Sequence, residues 1–253
     1  MFSSRTSSKV PLIFRTFARQ NRGLHVTKVV EKGPTVGLVG MGHVGKAVCN
    51  NLLRNGYTVT AMTDIKPDNC NGFPDTIAVK STAKEVAEMS EIVVSGKQND
   101  SQTYSVDSTS PQPLLTGLPK PPDVRKAAMG PDGILAGLQN GGIWIDHSTT
   151  DYEQNKMFED EATKKGGHVL ECPITGGLEA LKKGQMAVWV AGDVEAYKKA
   201  KPILDASYTT VMYTGILGTA MIPKVLSNML CAVQILAMSE CFAIGKDGRS
   251  ALI

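Results

Sequence analysis

With 253 residues, the chain is long enough to bury a substantial core in one large or two modest domains. Its net charge of +3 is unevenly placed: residues 1–30 hold six basic residues (Arg5, Lys9, Arg15, Arg19, Arg22, Lys28) and no acid, and the remainder carries 21 Lys and Arg against 24 Asp and Glu. That mildly acidic body argues against a nucleic-acid partner, and five cysteines without a C-x-x-C pair, beside four scattered histidines, argue against disulfides and against a metal site.

On a helical wheel begun at Pro11, the apolar residues Ile13, Phe14, Phe17 and Leu24 gather on one side and Arg15, Arg19 and Arg22 on the other, behind Ser3, Ser4, Ser7 and Ser8. A basic, amphipathic, serine-rich segment free of acids predicts a mitochondrial presequence over 1–30 and delivery to the matrix.

Thr35 to Asp64 reads as strand, glycine turn, helix, strand and acid in that order. The run 35–39 is apolar and rich in β-formers, and Gly40, Gly42 and Gly45 follow at the spacing G-x-G-x-x-G where that strand turns into a helix. The first glycine allows the tight turn, the second lets a pyrophosphate approach the backbone, and the third lets helix and strand pack closely. The helix amides from about residue 43 then point at the anion. Asp64 stands 19 residues beyond Gly45 at the end of the second strand, 58–63, where a carboxylate accepts from ribose hydroxyls and repels a 2′-phosphate. The predicted cofactor is therefore NAD, contacted by Gly40, Met41, Gly42, His43, Val44, Gly45, Asp64 and Ile65.

The alternation continues with a strand at 77–80, a helix opened by Ser81 or Thr82, and a strongly apolar strand at 91–94. Residues 95–115 are polar, serine-rich and without periodicity, and read as an irregular exposed insertion. A helix over Pro122–Gln139, interrupted at Gly130-Pro131, leads to strand Gly142–Ser148, and an amphipathic helix at 151–166 to strand 168–172. Further on come strand 186–191, helix 193–206 and strand 209–213. Strands alternating with helices predict an α/β fold, a doubly wound, Rossmann-type and mostly parallel sheet over 35–215. The last element begins near Thr219 and carries no charge from Val225 to Ser239. Apolar all round, it predicts a buried helix, and with Ser227, Asn228 and Gln234 in an uncharged run shorter than about 20 residues it is not read as a membrane span.

Four ordered motifs add chemistry to the cofactor site: Leu118-Pro119, Asp146-His147-Ser148-Thr149, Pro173-Ile174-Thr175-Gly176-Gly177, and Gly218 to Asn228 with Lys224 between them. Amides around Gly176-Gly177 suit an anion nest for a carboxylate, Ser148 and Thr175 supply hydroxyls, and Lys224 and Asn228, at i and i+4, share a helix face. A lysine opening an apolar helix has its pKa lowered by desolvation, as a general acid/base needs; the alternative is a lysine that snorkels to solvent. Together with the glycine turn these motifs closely resemble the β-hydroxyacid dehydrogenase family over about residues 36–247. The resemblance implies that Lys224 is the catalytic acid/base, that Ser148, Thr175, Gly176, Gly177 and Asn228 bind substrate, and that Leu118, Pro119 and Thr149 lie beside the cofactor. It implies oxidation of a small β-hydroxy acid such as 3-hydroxyisobutyrate to its semialdehyde by an NAD-dependent homo-oligomer, with no nucleic-acid or membrane partner.

Departures from the family pattern are Thr175 for serine, Ala220 for the second glycine of the lysine motif, Ser227 for its first asparagine, and Tyr152 for a proline. Two other readings stand beside the first: a reductase of glyoxylate or succinic semialdehyde, and a non-catalytic dinucleotide-binding or interaction module. The family continues into an all-helical second domain, of which 216–253 reads as a truncated start, its first long helix, since 29 residues follow Lys224. From that comes the expectation that this chain binds NAD weakly, self-associates through the helix and turns over little substrate.

Overall fold

The computed structural model describes residues 33–95, 121–182 and 184–250. The presequence reading of 1–30, the insertion beyond Ser95 and the Leu118-Pro119 turn lie outside the described residues. Among the described residues the elements run β1 (Val36–Val39), α1 (His43–Arg54), β2 (Val59–Thr63), β3 (Ala78–Val79), α2 (Ala83–Glu88), β4 (Ile92–Ser95), α3 (Pro121–Ala128), α4 (Ile134–Gly137), β5 (Ile143–Asp146) and α5 (Tyr152–Thr163). They continue with β6 (His168–Glu171), β7 (Ile174–Thr175), α6 (Gly177–Lys182), β8 (Ala187–Ala191), α7 (Val194–Ser207), β9 (Thr210–Gly215) and α8 (Met221–Ser250).

The strands form one sheet in the order β3-β2-β1-β4-β5-β6-β8-β7, with β9 paired to β8. From β3 to β6 every pairing is parallel, so each strand's carboxyl end opens on the same edge. β8 runs antiparallel to β6 and β7, and β9 parallel to β8. This is the expected doubly wound, mostly parallel sheet, followed by a carboxyl-terminal helix.

Strand periodicity of two splits the core into two faces. Val36 and Leu38, Ile92 and Val94, and Ile143 and Ile145 pack on one side with Val48 and Leu52 of α1 and Ile203 and Leu204 of α7. The intervening Val39, Val93 and Trp144 pack on the other with Val86 of α2 and Phe158 of α5. Trp144 and Phe158 meet as a tilted pair with centroids 5.1 Å apart, a favoured aromatic geometry.

Local chemistry sets the helix starts. Thr82 and Glu85 form a reciprocal capping box on α2, Asp151 accepts from Gln154 N on α5, and Asp193 accepts from Glu195 N and Ala196 N on α7, each satisfying donors the helix leaves open. The interruption expected at Gly130-Pro131 separates α3 from α4.

The uncharged helix departs from its expectation of burial. Ala220 and Met221 are buried where α8 begins, but Leu226, Met229, Leu230, Val233, Leu236 and Met238 are 53–64% exposed. An all-round apolar surface says that a helix needs cover and not which segment supplies it; among the described residues, burial of α8 ends within its first turns. Met221–Lys246 is also long and apolar enough, by length and composition, to cross a membrane.

Candidate active site

The predicted site segments that are described gather at the carboxyl ends of the parallel strands, around the point where strand order reverses between β1 and β4. That edge is where open α/β sheets bind ligands. Gly40 leaves β1 with φ +88°, a conformation that favours glycine. Gly42 precedes α1 in extended conformation with no side chain capping the helix, so the first-turn amides of His43, Val44 and Gly45 remain donors for an anion. A Cβ on Gly45 would lie 2.0 Å from the Gly40 carbonyl oxygen, so the close approach of turn and helix requires glycine there. Met41, Val44 and Gly45 are buried, whereas His43 is exposed.

Asp64 follows β2 and braces this turn from the side. One carboxylate oxygen accepts from Met41 N at 2.6 Å; the other accepts from Lys66 N at 2.8 Å and Asn69 Nδ2 at 3.1 Å. It stays half-exposed beside Ile65, which is 86% exposed. The uncapped helix start, the left-handed Gly40 and this acid fit a dinucleotide's pyrophosphate and ribose.

At the ends of β4 and β5 a directed hydrogen-bond chain is buried. Trp144 Nε1 donates to Ser95 Oγ at 3.0 Å, Ser95 Oγ donates to Asp146 Oδ1 at 3.0 Å, and Ser148 donates to the same oxygen through N at 3.0 Å and Oγ at 2.7 Å. Burial pushes the Asp146 carboxyl above its ordinary value, opposed by the hydrogen bonds of Ser148 and Ser95. Thr149 is half-buried beside them.

Past β6 the chain enters the Pro173–Gly177 loop. Gly176 and Gly177 are exposed with φ +134° and +68°, next to the half-buried Thr175. Lys224, in the first turn of α8, donates from Nζ to the carbonyl oxygen of Ile174 at 2.7 Å. The structure thus brings Lys224 to the Thr175–Gly177 loop, and burial lowers its pKa. Asn228 is exposed one turn farther along, and no described contact ties it to the loop. Gly218, at φ +93°, has the Tyr152 ring where a Cβ would stand, 2.7 Å away.

Residues 35–215 match the family described as the NAD binding domain of 6-phosphogluconate dehydrogenase. The chain belongs to the 6-phosphogluconate dehydrogenase-like β-hydroxyacid dehydrogenase family. It carries that family's NAD-binding domain, and family members are NAD-dependent hydroxyacid dehydrogenases. The human mitochondrial 3-hydroxyisobutyrate dehydrogenase is 28% identical over 218 residues, 86% of this chain and 58% of the relative. The Pseudomonas aeruginosa 3-hydroxyisobutyrate dehydrogenase is 26% identical over 215 residues, 84% of this chain and 65% of the relative. The chain thus spans about three-fifths of the length of these relatives. Among solved structures, the Mycobacterium tuberculosis 3-hydroxyisobutyrate dehydrogenase with L-serine superposes with a TM-score of 0.69 at 24% identity, over 85% of this chain and 66% of that one. A Myxococcus stipitatus imine reductase variant in complex with NAD+ superposes with a TM-score of 0.60 at 15% identity, over 82% of this chain and 66% of that one. These two likenesses concern the fold.

Within this β-hydroxyacid dehydrogenase domain, several polar residues near the site escape sequence reasoning. His147 is buried, its Nδ1 donating to the Cys172 carbonyl at 2.7 Å, which leaves Nε2 to accept from Tyr208 OH at 2.6 Å. Burial holds its pKa down at about 4, so the ring is neutral and ties the Asp146–Thr149 segment to the end of β6, just ahead of the Pro173–Gly177 loop, without titrating near pH 7. Ser95, Asn155 and Glu171 belong to the same buried layer. The hydrogen-bond partners of Ser95 and Glu171 lie 51 and 47 residues away, and no local pattern marks them.

Proposed function

We propose that this protein oxidises a small β-hydroxy acid of the 3-hydroxyisobutyrate type to its semialdehyde, with NAD as the oxidant. The observation that carries the reading is Lys224, half-buried and held 2.7 Å from the Ile174 carbonyl on the edge of the sheet that also bears the glycine turn. NAD, when bound, supplies the acceptor for the hydride that leaves the alcohol carbon. Gly42, His43, Val44 and Gly45 offer backbone amides to its pyrophosphate. Gly40 and Met41, whose amides are spent on the Thr63 carbonyl and on Asp64, shape the turn beneath it, Asp64 accepts from the adenosine ribose, and Ile65 offers an apolar surface to the adenine. Thr149 flanks its other end, where the family resemblance also assigns Leu118 and Pro119. Gly176, Gly177 and Thr175 hold the substrate carboxylate, and Ser148 and Asn228 contact the rest of the substrate. Lys224, in its neutral form, takes the hydroxyl proton at Nζ.

Cofactor choice tests the first half of this reading. Wild type should prefer NAD to NADP, and Asp64→Ala should weaken NAD by roughly 10- to 100-fold, the worth of hydrogen bonds to a charged group, with NADP unchanged or improved. Titration of both nucleotides into the wild-type protein decides it, and equal affinities refute the assignment of Asp64.

The same reading places the protein in the mitochondrial matrix, supported by the basic face of residues 1–30 and by mitochondrial relatives. Residues 1–30 fused to a reporter should carry it into mitochondria, and exchange of Arg15, Arg19 and Arg22 for Glu should leave it in the cytosol. A cytosolic reporter behind the native segment removes the targeting role.

A further inference from the structure

Glu171 closes β6 and is 1% exposed. Its Oε2 accepts from Gly218 N at 2.5 Å, and the backbone N–H of Met221, the first residue of α8, lies close enough to favour the charged carboxylate. A helix start leaves its amides without partners, and the start of α8 meets a carboxylate from a strand 47 residues before Gly218. From the other side, Thr150 donates to Asn155 Oδ1 at 2.5 Å, which turns Nδ2 toward Glu171. The amide approaches the carboxylate without closing a hydrogen bond, leaving Nδ2 and Oε1 each unpartnered. Burial, with Asp146 nearby, pushes the Glu171 carboxyl up, against the pull of those amides.

Three segments therefore meet at one carboxyl group: the residues after Ser148, the strand that enters the Thr175–Gly177 loop, and the start of the lysine helix. Three residues beyond Glu171, Ile174 receives Lys224 Nζ. The stretch 171–174 is thus joined to the start of α8 at both ends, by Gly218 N at Glu171 and by the lysine at Ile174.

The geometry points to Glu171 as a positioning residue for Lys224: by accepting from Gly218 N just ahead of α8, with Met221 N beside it, the carboxylate fixes where the helix begins, and so keeps the lysine amine half-buried against the substrate loop. This deepens the reading of Lys224 as acid/base and rests on it. A residue that only stabilises the fold, once refolded protein is selected, leaves the lysine's environment untouched. One that positions it does not.

The test is pH-dependent acylation of Lys224 by acetic anhydride, read by mass spectrometry, which reports the lysine's own titration without catalysis. Glu171→Leu keeps volume but removes the acceptor, and should move the Lys224 titration up toward that of an ordinary lysine. Glu171→Gln keeps a carbonyl acceptor and should leave it near the wild-type value. Met221→Pro removes one donor from the helix side at a first-turn position that tolerates proline; it should move Lys224 in the same direction and keeps the test alive if Glu171→Leu does not fold. A lower melting temperature with unmoved lysine titration in these variants overturns the inference, as does an equal shift in Glu171→Gln. If instead Lys224→Met leaves turnover intact, the functional reading fails while the labelling result still stands or falls alone.

Discussion

Lys224→Met is expected to lower turnover by ~100-fold or more, with NAD affinity within about twofold of wild type. Methionine keeps the length of the stem and its packing but cannot exchange a proton, and the nucleotide contacts assigned to Gly40–Gly45 and Asp64 are made elsewhere on the sheet edge. Burial lowers the lysine's pKa, so the neutral amine is populated at lower pH than on an exposed lysine. Oxidation should accordingly rise with pH along a limb below the ordinary lysine range. Lys224→Arg, which stays protonated, should lose that limb as well as the rate. Steady-state kinetics over pH, with NAD affinity measured by titration, check both statements; near-normal turnover in the methionine variant means that Lys224 is structural.

Gly45→Ala is expected to weaken NAD binding and stability together. The added methyl would stand 2.0 Å from the Gly40 carbonyl oxygen and 3.0 Å from its carbon, and both are backbone atoms of the turn itself. Relief requires α1 to move off the turn, at a cost of roughly 1–3 kcal/mol for an overpacked site, and every amide aimed at the pyrophosphate moves with it. Gly141→Ala is the control: φ there is +72°, with nothing within 4 Å of the new atom, and it precedes β5, so it strains the backbone at the edge of the sheet opposite the carboxyl ends. Calorimetric titration with NAD and a thermal melt separate the two, and unchanged NAD affinity in Gly45→Ala removes the close-approach argument.

What was legible in the sequence is what local spacing controls. The β1–α1–β2 unit announces itself through three glycines, an apolar strand and an acid within 30 residues, and the break between α3 and α4 through Gly130-Pro131. The alternating strands and helices lead to the doubly wound sheet that is observed. Two-residue β7 is too short for any period to register, and the reversal of β8 against β6 depends on a pairing that alternation does not encode. Periodicity marks α8 as a helix that needs cover without naming the segment that supplies it, and the apolar residues that one domain cannot all cover, from Leu226 to Met238, are exposed among the described residues. Glu171 in Leu-Glu-Cys-Pro looks like any strand-end acid, since its partners are backbone amides reached only through the fold. His147 and Tyr208 are 61 residues apart and meet for the same reason.

The hydroxyl of Ser148 is already committed. Its proton points at Asp146, whose Oδ1 receives three hydrogen bonds at once, so toward a bound substrate the oxygen presents lone pairs only. Such a group can receive a hydrogen bond from an alcohol and offers none to an aldehyde. In the substrate-binding role proposed for Ser148, the serine would tell the two ends of the reaction apart: it would receive a hydrogen bond from the hydroxy acid and offer none to the carbonyl it becomes. Release of the proposed semialdehyde would then be hastened with no moving part, and an inhibitor that keeps a donor at this position should outlast the product in the site.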